Sequence, residues 1–173
     1  DARIQPCIEE SDTFITSKHW WIPEGETEPV EMPLPAKCSL YDVLGPWLLV
    51  LLKEDWTVSE AVFESGDLVA FQLEEFLETR AQPEVELVFR PSQTQSVRWV
   101  QAAGETALLN LNDNVTGRVL RLDRSGGDWT TRDVDLPGKG QSGVAFADRE
   151  ETTAFLTYEG FLTPDSLLEY DTV

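Results

Sequence analysis

Short apolar runs recur along the whole chain, and almost every one is closed by a turn residue. They are PWLLVLL (46–52), DLVAFQL (67–73), VELVFR (85–90), VRWVQAA (97–103), TALLNL (106–111), RVLRLD (118–123), VAFA (144–147), TTAFLTY (152–158) and SLLEYD (166–171). Each is rich in β-branched, aromatic or aliphatic residues, and Gly, Pro, Asp or Asn bounds most of them, which is the pattern of β-strands. Alternation is read in RVLRLD, where Val119 and Leu120 are followed by Arg121, Leu122 and Asp123. One short helix is predicted around Glu74–Arg80, EEFLETR, closed by Gln82-Pro83. The class is all-β.

The strands also recur as a unit. Leu48–Leu52 is followed by Leu68–Leu73, Ala107–Leu111 by Val119–Asp123, and Ala154–Tyr158 by Leu167–Asp171. A period of roughly 40–50 residues with about four strands per unit is the signature of propeller blades. VELVFR and DWTTRDVDLP (128–137) read as outermost strands, and residues 96–104 and 141–149 as the inner strands that open the next blade. The chain 1–173 is therefore expected to be one propeller segment, about three consecutive four-stranded antiparallel blades. Its parts are the outer strands of a preceding blade in 1–35, a blade over 36–90, another over 91–137 and a final one over 138–173. A closed propeller needs at least four blades, so this is an arc of a larger ring; a β-sandwich is the competing architecture. Leu49, Val69, Leu109, Leu120, Phe155 and Leu168 sit centrally in the repeating strands and are the expected core. An arc leaves terminal faces open, expected around Trp20–Ile22 and Phe161–Leu167, where the isolated chain would self-associate.

Charge narrows the partners. Against 13 Lys and Arg stand 32 Asp and Glu, a net charge of −19. Such a surface repels phosphate backbones and anionic headgroups, so nucleic acid and membrane surfaces are not expected partners. The densest apolar run, PWLLVLL, is far short of the roughly 20 residues a membrane helix needs. The opening DARIQPCIEESD lacks the basic start and apolar stretch of a signal peptide. The doublets Glu9-Glu10, Glu74-Glu75 and Glu150-Glu151 belong to a solvated face; neighbours on a strand point to opposite sides, so such doublets are poorly placed to act as a carboxylate dyad.

Candidate chemistry is sparse, and no catalytic, cofactor-binding or metal-binding residue is expected. A Ser-His-Asp hydrolase needs its nucleophile on a strained G-x-S-x-G turn. Gly140-Gln141-Ser142-Gly143 comes nearest, but Val144 stands where the second glycine belongs. The only histidine, His19, precedes Trp20 and Trp21 in a strand-like stretch and reads as packed or at the surface. Gly138-Lys139-Gly140 lacks the rest of a phosphate-binding loop. Asn110, Asn112 and Asn114 around Asp113 lack the central Gly and closing Glu of a calcium loop and read as a turn. Ser125-Gly126-Gly127 reads as a hairpin turn. Asn114-Val115-Thr116 is a glycosylation sequon, meaningful only in a secreted eukaryotic protein. Cys7 and Cys38 are too far apart in sequence for a zinc-type pair; a disulfide in an oxidising compartment and two free thiols both remain open. Trp20, Trp21, Trp47, Trp56, Trp99 and Trp129 are spread over all units, which suits structural use over one stacking face, except for Trp20-Trp21, whose adjacent rings must face opposite ways.

Five stretches in order carry a family resemblance: WLLVLLKEDWTV (47–58), SGDLVAFQLEEFL (65–77), ALLNLNDNV (107–115), GDWTTRDVDLP (127–137) and FLTYEGFLTPDSLLEYD (155–171). Together they resemble the propeller of the prolyl-oligopeptidase family of serine peptidases, in the half nearest its peptidase domain. The likeness covers most of residues 40–173. It implies a seven-bladed ring capping an α/β-hydrolase domain that cleaves after proline, with the propeller admitting short peptides and excluding folded proteins. None of the family's triad positions falls in this chain. The expected partners are then the peptidase domain of the same parent chain and short peptide substrates. The rival expectation is a stand-alone β module that binds a protein or glycan.

Overall fold

Four antiparallel sheets follow one another along the chain in the computed structural model, which describes residues 7–13 and 15–173. The first sheet has the order β1 (Cys7–Ser11), β2 (Ser17–Trp21), β3 (Val30–Glu31). The second runs β4 (Cys38–Leu44), β5 (Trp47–Leu52), β8 (Leu68–Gln72), β9 (Glu86–Phe89). A small hairpin, β6 (Trp56–Val58) with β7 (Ala61–Phe63), lies between β5 and β8, and α1 (Leu73–Thr79) lies between β8 and β9. The third sheet is a plain meander of β10 (Gln95–Ala103), β11 (Thr106–Asp113), β12 (Thr116–Ser125) and β13 (Asp128–Asp133). The last has three strands, β14 (Gly140–Phe146), β15 (Thr153–Gly160) and β16 (Ser166–Asp171). This is an all-β partial propeller, with two of its blades four-stranded.

Turn chemistry sets the meander. Asp113 pairs with Thr116 across a two-residue turn whose first residue, Asn114, has φ +54°. Ser125 pairs with Asp128 across Gly126-Gly127, both at positive φ. Such turns match the twist of the flanking strands, and Asn and Gly adopt that backbone at least cost. The helix ends where Arg80 takes a left-handed conformation and donates its N–H to the Phe76 carbonyl.

Apolar side chains leave both faces of the middle sheets. From β5, Leu49 and Leu51 pack with Val100, Leu109 and Leu122 of the third sheet, while Leu48, Val50 and Leu52 pack with Trp21 and Met32 on the other side. From the third sheet, Leu108 and Val119 turn the opposite way and meet Ala154 and Leu156 of the last sheet. A sheet covered on both faces has no polar face to show. That corrects the alternation read in RVLRLD: Val119, Leu120 and Leu122 are all buried.

Four of the six expected core residues, Leu49, Val69, Leu109 and Leu120, are buried; Phe155 and Leu168 are only half-buried. Both belong to the last sheet. Phe155 points away from the core that Ala154 and Leu156 form, and Leu168 lies on the edge strand β16.

Polar ties fix how the sheets meet. Asp42 accepts from the backbone N–H of Ala102 and from Arg149, each at 2.8 Å. Glu86 of the second sheet accepts from Arg124 and from Trp129 Nε1, both at 2.8 Å, while the Arg124 guanidinium lies 4.2 Å from the centre of the Trp47 ring. Trp47 and Trp129 meet edge to face at 5.7 Å. Gly117 lies so close to Ser142 of β14 that a side chain there would strike its backbone N.

The two-faced core makes a sharp contrast measurable. Leu109→Ala should lower the unfolding free energy by about 2–5 kcal/mol in urea titrations, because it opens a cavity between two sheets. Leu167→Ala, on the exposed side of β16, should change it by less than about 0.5 kcal/mol. Equal losses would mean the open face is covered in solution.

Candidate functional site

The residues that sequence reasoning singled out do not converge. Ser142 lies within the extended strand β14, with no sharp turn around it, and its hydroxyl is buried without a hydrogen-bond partner. It lines a cleft with Tyr158, Glu159 and Asp165, whereas His19 lines a different one. Asn110 sends its amide to the Ser142 carbonyl at 2.9 Å, a tie between sheets. Asp113 takes hydrogen bonds from Gln95, Thr94 and Arg118, which hold its carboxyl below the ordinary range. Among the described residues, no three His, Cys, Asp or Glu side chains are grouped to hold a metal ion.

His19 occupies a cleft of about 340 Å³ between the first and second sheets, with Cys7, Glu9, Trp21, Tyr41, Asp42 and Arg149. Its Nδ1 stands 3.8 Å from Cys38 Sγ. Burial pushes the imidazole below its ordinary pKa, against the pull of Glu9, its partner across the β1–β2 ladder. Burial also pushes the Cys38 thiol up to about 12. A thiol held that high is protonated at neutral pH, and only the thiolate is a good nucleophile. Both cysteines are free, Cys7 exposed and Cys38 buried.

A second cluster lies where the first strands of the second and third sheets meet. In β4, Leu40 pairs with Val50 and Val43 with Leu48, so Tyr41 and Asp42 together oppose Leu49. In β10, Val97 pairs with Leu111 and Trp99 with Asn110, leaving Arg98 as the extra residue. In β14 the same irregularity leaves Ala145 extra, beside Phe146. Bulges of this kind re-aim side chains. Here Arg98 and Trp99, neighbours that a regular strand would send to opposite faces, are both exposed, Trp99 at 53%. The Tyr41 ring meets Trp99 edge-on at 5.2 Å, and its hydroxyl donates to the Arg98 carbonyl at 3.1 Å. Burial pushes that hydroxyl above its ordinary pKa, so it stays a donor.

Apolar side chains also crowd one end of the sheets. The β15–β16 connection carries Phe161 and Leu162, 101% and 91% exposed, and the β11–β12 turn carries Val115 at 82%. These two connections share an end, since Gln141, which pairs with Glu159, donates to the Val115 carbonyl. The opening expected at Phe161–Leu167 is thus present. The one expected at Trp20–Ile22 is not: Trp21 is buried against the second sheet, and Trp20 and Ile22 are half-buried.

The strongest consequence of burial in this region is testable by pH. The Cys38 thiol is raised from an ordinary 9.0 to about 12, so the stability it contributes is complete below pH 9 and is lost as pH climbs toward 12. The loss should approach about 1.4 kcal/mol per pH unit in that window. Urea unfolding of the native chain minus that of Cys38→Ser, from pH 8 to 11, isolates it; a flat difference would refute the buried thiol.

No protein-family model matches the chain. An uncharacterized peptidase of Sinorhizobium fredii is 29% identical over 157 residues, which take in 89% of this chain and 22% of that protein. A post-proline cleaving enzyme from Rickettsia typhi superposes with a TM-score of 0.84 at 18% identity, over 97% of this chain and 25% of the enzyme. Prolyl oligopeptidase B from Galerina marginata superposes at 0.65 with 15% identity, over 93% of this chain and 22% of its own. The chain thus spans about a quarter or less of the proteins it matches. It is similar in sequence to a peptidase, and its fold is that of the prolyl-oligopeptidase propeller.

Proposed function

We propose that this chain is the substrate-gating propeller segment of a prolyl-oligopeptidase-like serine peptidase, which hydrolyses short peptides after proline. The catalytic triad lies in the parent outside this chain. Its blades are taken as residues 36–90, 91–137 and 138–173, preceded by the outer strands of another. The observation that carries the reading is the superposition of nearly the whole chain on a fraction of a post-proline cleaving enzyme. Galerina prolyl oligopeptidase B, another fold neighbour, was captured with a 35-residue hydrolysis and macrocyclization substrate, which supports a peptide as the cargo.

The exposed tips give the segment something to dock with. Phe161, Leu162 and Val115 are exposed on connections at one end of the sheets, and exposed apolar side chains gathered in this way mark interaction sites. The peptidase domain of the same parent chain is the partner assigned to it. Gating follows physically: a rigid stack of sheets held over a peptidase domain admits an extended peptide and rejects a folded protein.

The parent protein tests this directly. It should release the reporter from a Gly-Pro substrate, react with a fluorophosphonate serine probe, and leave a folded protein of similar proline content uncut. The 173-residue chain alone should do none of these. Phe161→Asp with Leu162→Asp in the parent should raise cleavage of a long peptide relative to a short one several-fold, by loosening the docked end. A parent that neither reacts with the probe nor cleaves after proline would end the proposal.

A further inference from the structure

The described arginines of this acidic chain are almost all spent on carboxylates. Arg80 pairs with Glu26, Arg90 with Asp67, Arg118 with Asp113 and Asp133, Arg121 and Arg132 with Asp123, Arg124 with Glu86, and Arg149 with Asp42. Among the described arginines only Arg98 has no carboxylate partner, although 32 acidic side chains were available to supply one. It is exposed, it is the extra residue of the β10 bulge, and its neighbour in the chain is Trp99, whose ring is exposed as well.

We propose that Arg98, Trp99 and Tyr41 form a binding site for the C-terminal carboxylate of a short peptide. The guanidinium takes the carboxylate, whose two oxygens match its fork of N–H donors. The Trp99 ring, braced edge-on by Tyr41, takes the flat apolar side chain next to it. A pyrrolidine ring suits that surface best, since proline is rigid and aromatic-lined grooves bind it with little entropy lost.

The site is preorganised. The Tyr41 hydroxyl holds the Arg98 carbonyl, and the adjacent Asp42 holds Ala102 two turns of the pleat further along, so the bulge is fastened at both ends. Charge complementarity singles out the occupant: on a surface of net charge −19, an uncompensated guanidinium attracts an anion, and the neighbouring indole requires that anion to be attached to an apolar group. Hydrolysis after proline releases a peptide ending in proline with a free carboxylate. The choice of proline rests on the peptidase reading above; the carboxylate and the ring follow from the residues themselves. The site is then a product site, on the edge where the first strands of two sheets converge.

Calorimetric titration of the 173-residue chain with the tripeptide Ala-Ala-Pro tests it. The free acid should bind saturably. Its C-terminal amide, and the free acid against Arg98→Gln, should each bind about tenfold more weakly. Arg98→Lys should recover part of the affinity, and Trp99→Leu should abolish the preference for Ala-Ala-Pro over Ala-Ala-Ala. Circular dichroism of the variants should match the parent chain, since both residues are exposed. No saturable binding, equal binding of acid and amide, or indifference to Arg98→Gln would overturn the proposal. Binding to this chain is read without any catalysis, so a parent with no peptidase activity would sink the functional reading and leave this measurement standing. Conversely, an active parent whose propeller segment ignores the tripeptide would sink only the site.

Discussion

Covering both faces of the middle sheets is the constraint on which the rest of this structure depends. A four-stranded sheet with Leu48, Val50 and Leu52 on one side and Leu49 and Leu51 on the other cannot leave either side in water. Burying one such side chain is worth about 1.5–3 kcal/mol, so an uncovered middle sheet would be too exposed to persist. Stacking sheet on sheet solves the problem locally and creates it again at the next face. That is why the last sheet shows Phe146 and Leu167 to solvent while its inner face holds Ala154 and Leu156. The repeat in the sequence is the record of this recursion.

The same constraint explains which parts of the fold were legible. Strands with apolar side chains on both faces stand out as dense runs, so β5, β8 and β11 could be read directly, and β15 was legible from its alternation. Their turns announced themselves through Asn114 and Gly126-Gly127. β4 was not read, because CSLYDVL mixes polar side chains into a strand whose bulge sets Asp42 to bonding with Ala102 and Arg149. The β6–β7 hairpin was hidden by its brevity, three residues a side. Trp129 and Trp47 were read as structural, and their place around Arg124 shows why: the guanidinium needs flat, polarisable neighbours when taken partly from water.

The edge cluster was far less legible. A bulge is a property of two strands at once, and nothing in QSVRWVQAA alone says that Arg98 has no opposite number. Periodicity assigns Arg98 and Trp99 to different faces, and only the register with Leu111 and Asn110 shows that Arg98 is an extra residue and that the simple alternation fails there. A usable signal did exist in the charge pattern. Arg118, Arg121, Arg124 and Arg132 each have an acid within a strand's reach, whereas residues 93–102 contain none. An arginine beside a tryptophan in a stretch without carboxylates is a reasonable place to look for an external anion.

The two seams of the third sheet are built differently. Toward the second sheet the contact is made mainly by Leu and Val, capped by the Arg124, Glu86 and Trp129 cluster. Toward the last sheet the buried set is smaller and contains Ala103, Ala147 and Ala154, so fewer methyl groups interlock. Hydrogen bonds make up the join: Asn110 to the Ser142 carbonyl, Gln101 to the Ala147 carbonyl, Gln141 to the Val115 carbonyl, and the Gly104 N–H to Asp148. Water competes for hydrogen bonds but not for dispersion contacts, so the net worth of each such tie is only about 0.5–1.5 kcal/mol. A seam held by several replaceable bonds over a thin apolar layer separates at lower cost than one held by interdigitated leucines. Of the two seams, the one toward the last sheet, which bears the exposed Phe161 and Leu162, thus has the thinner apolar layer and relies more on hydrogen bonds.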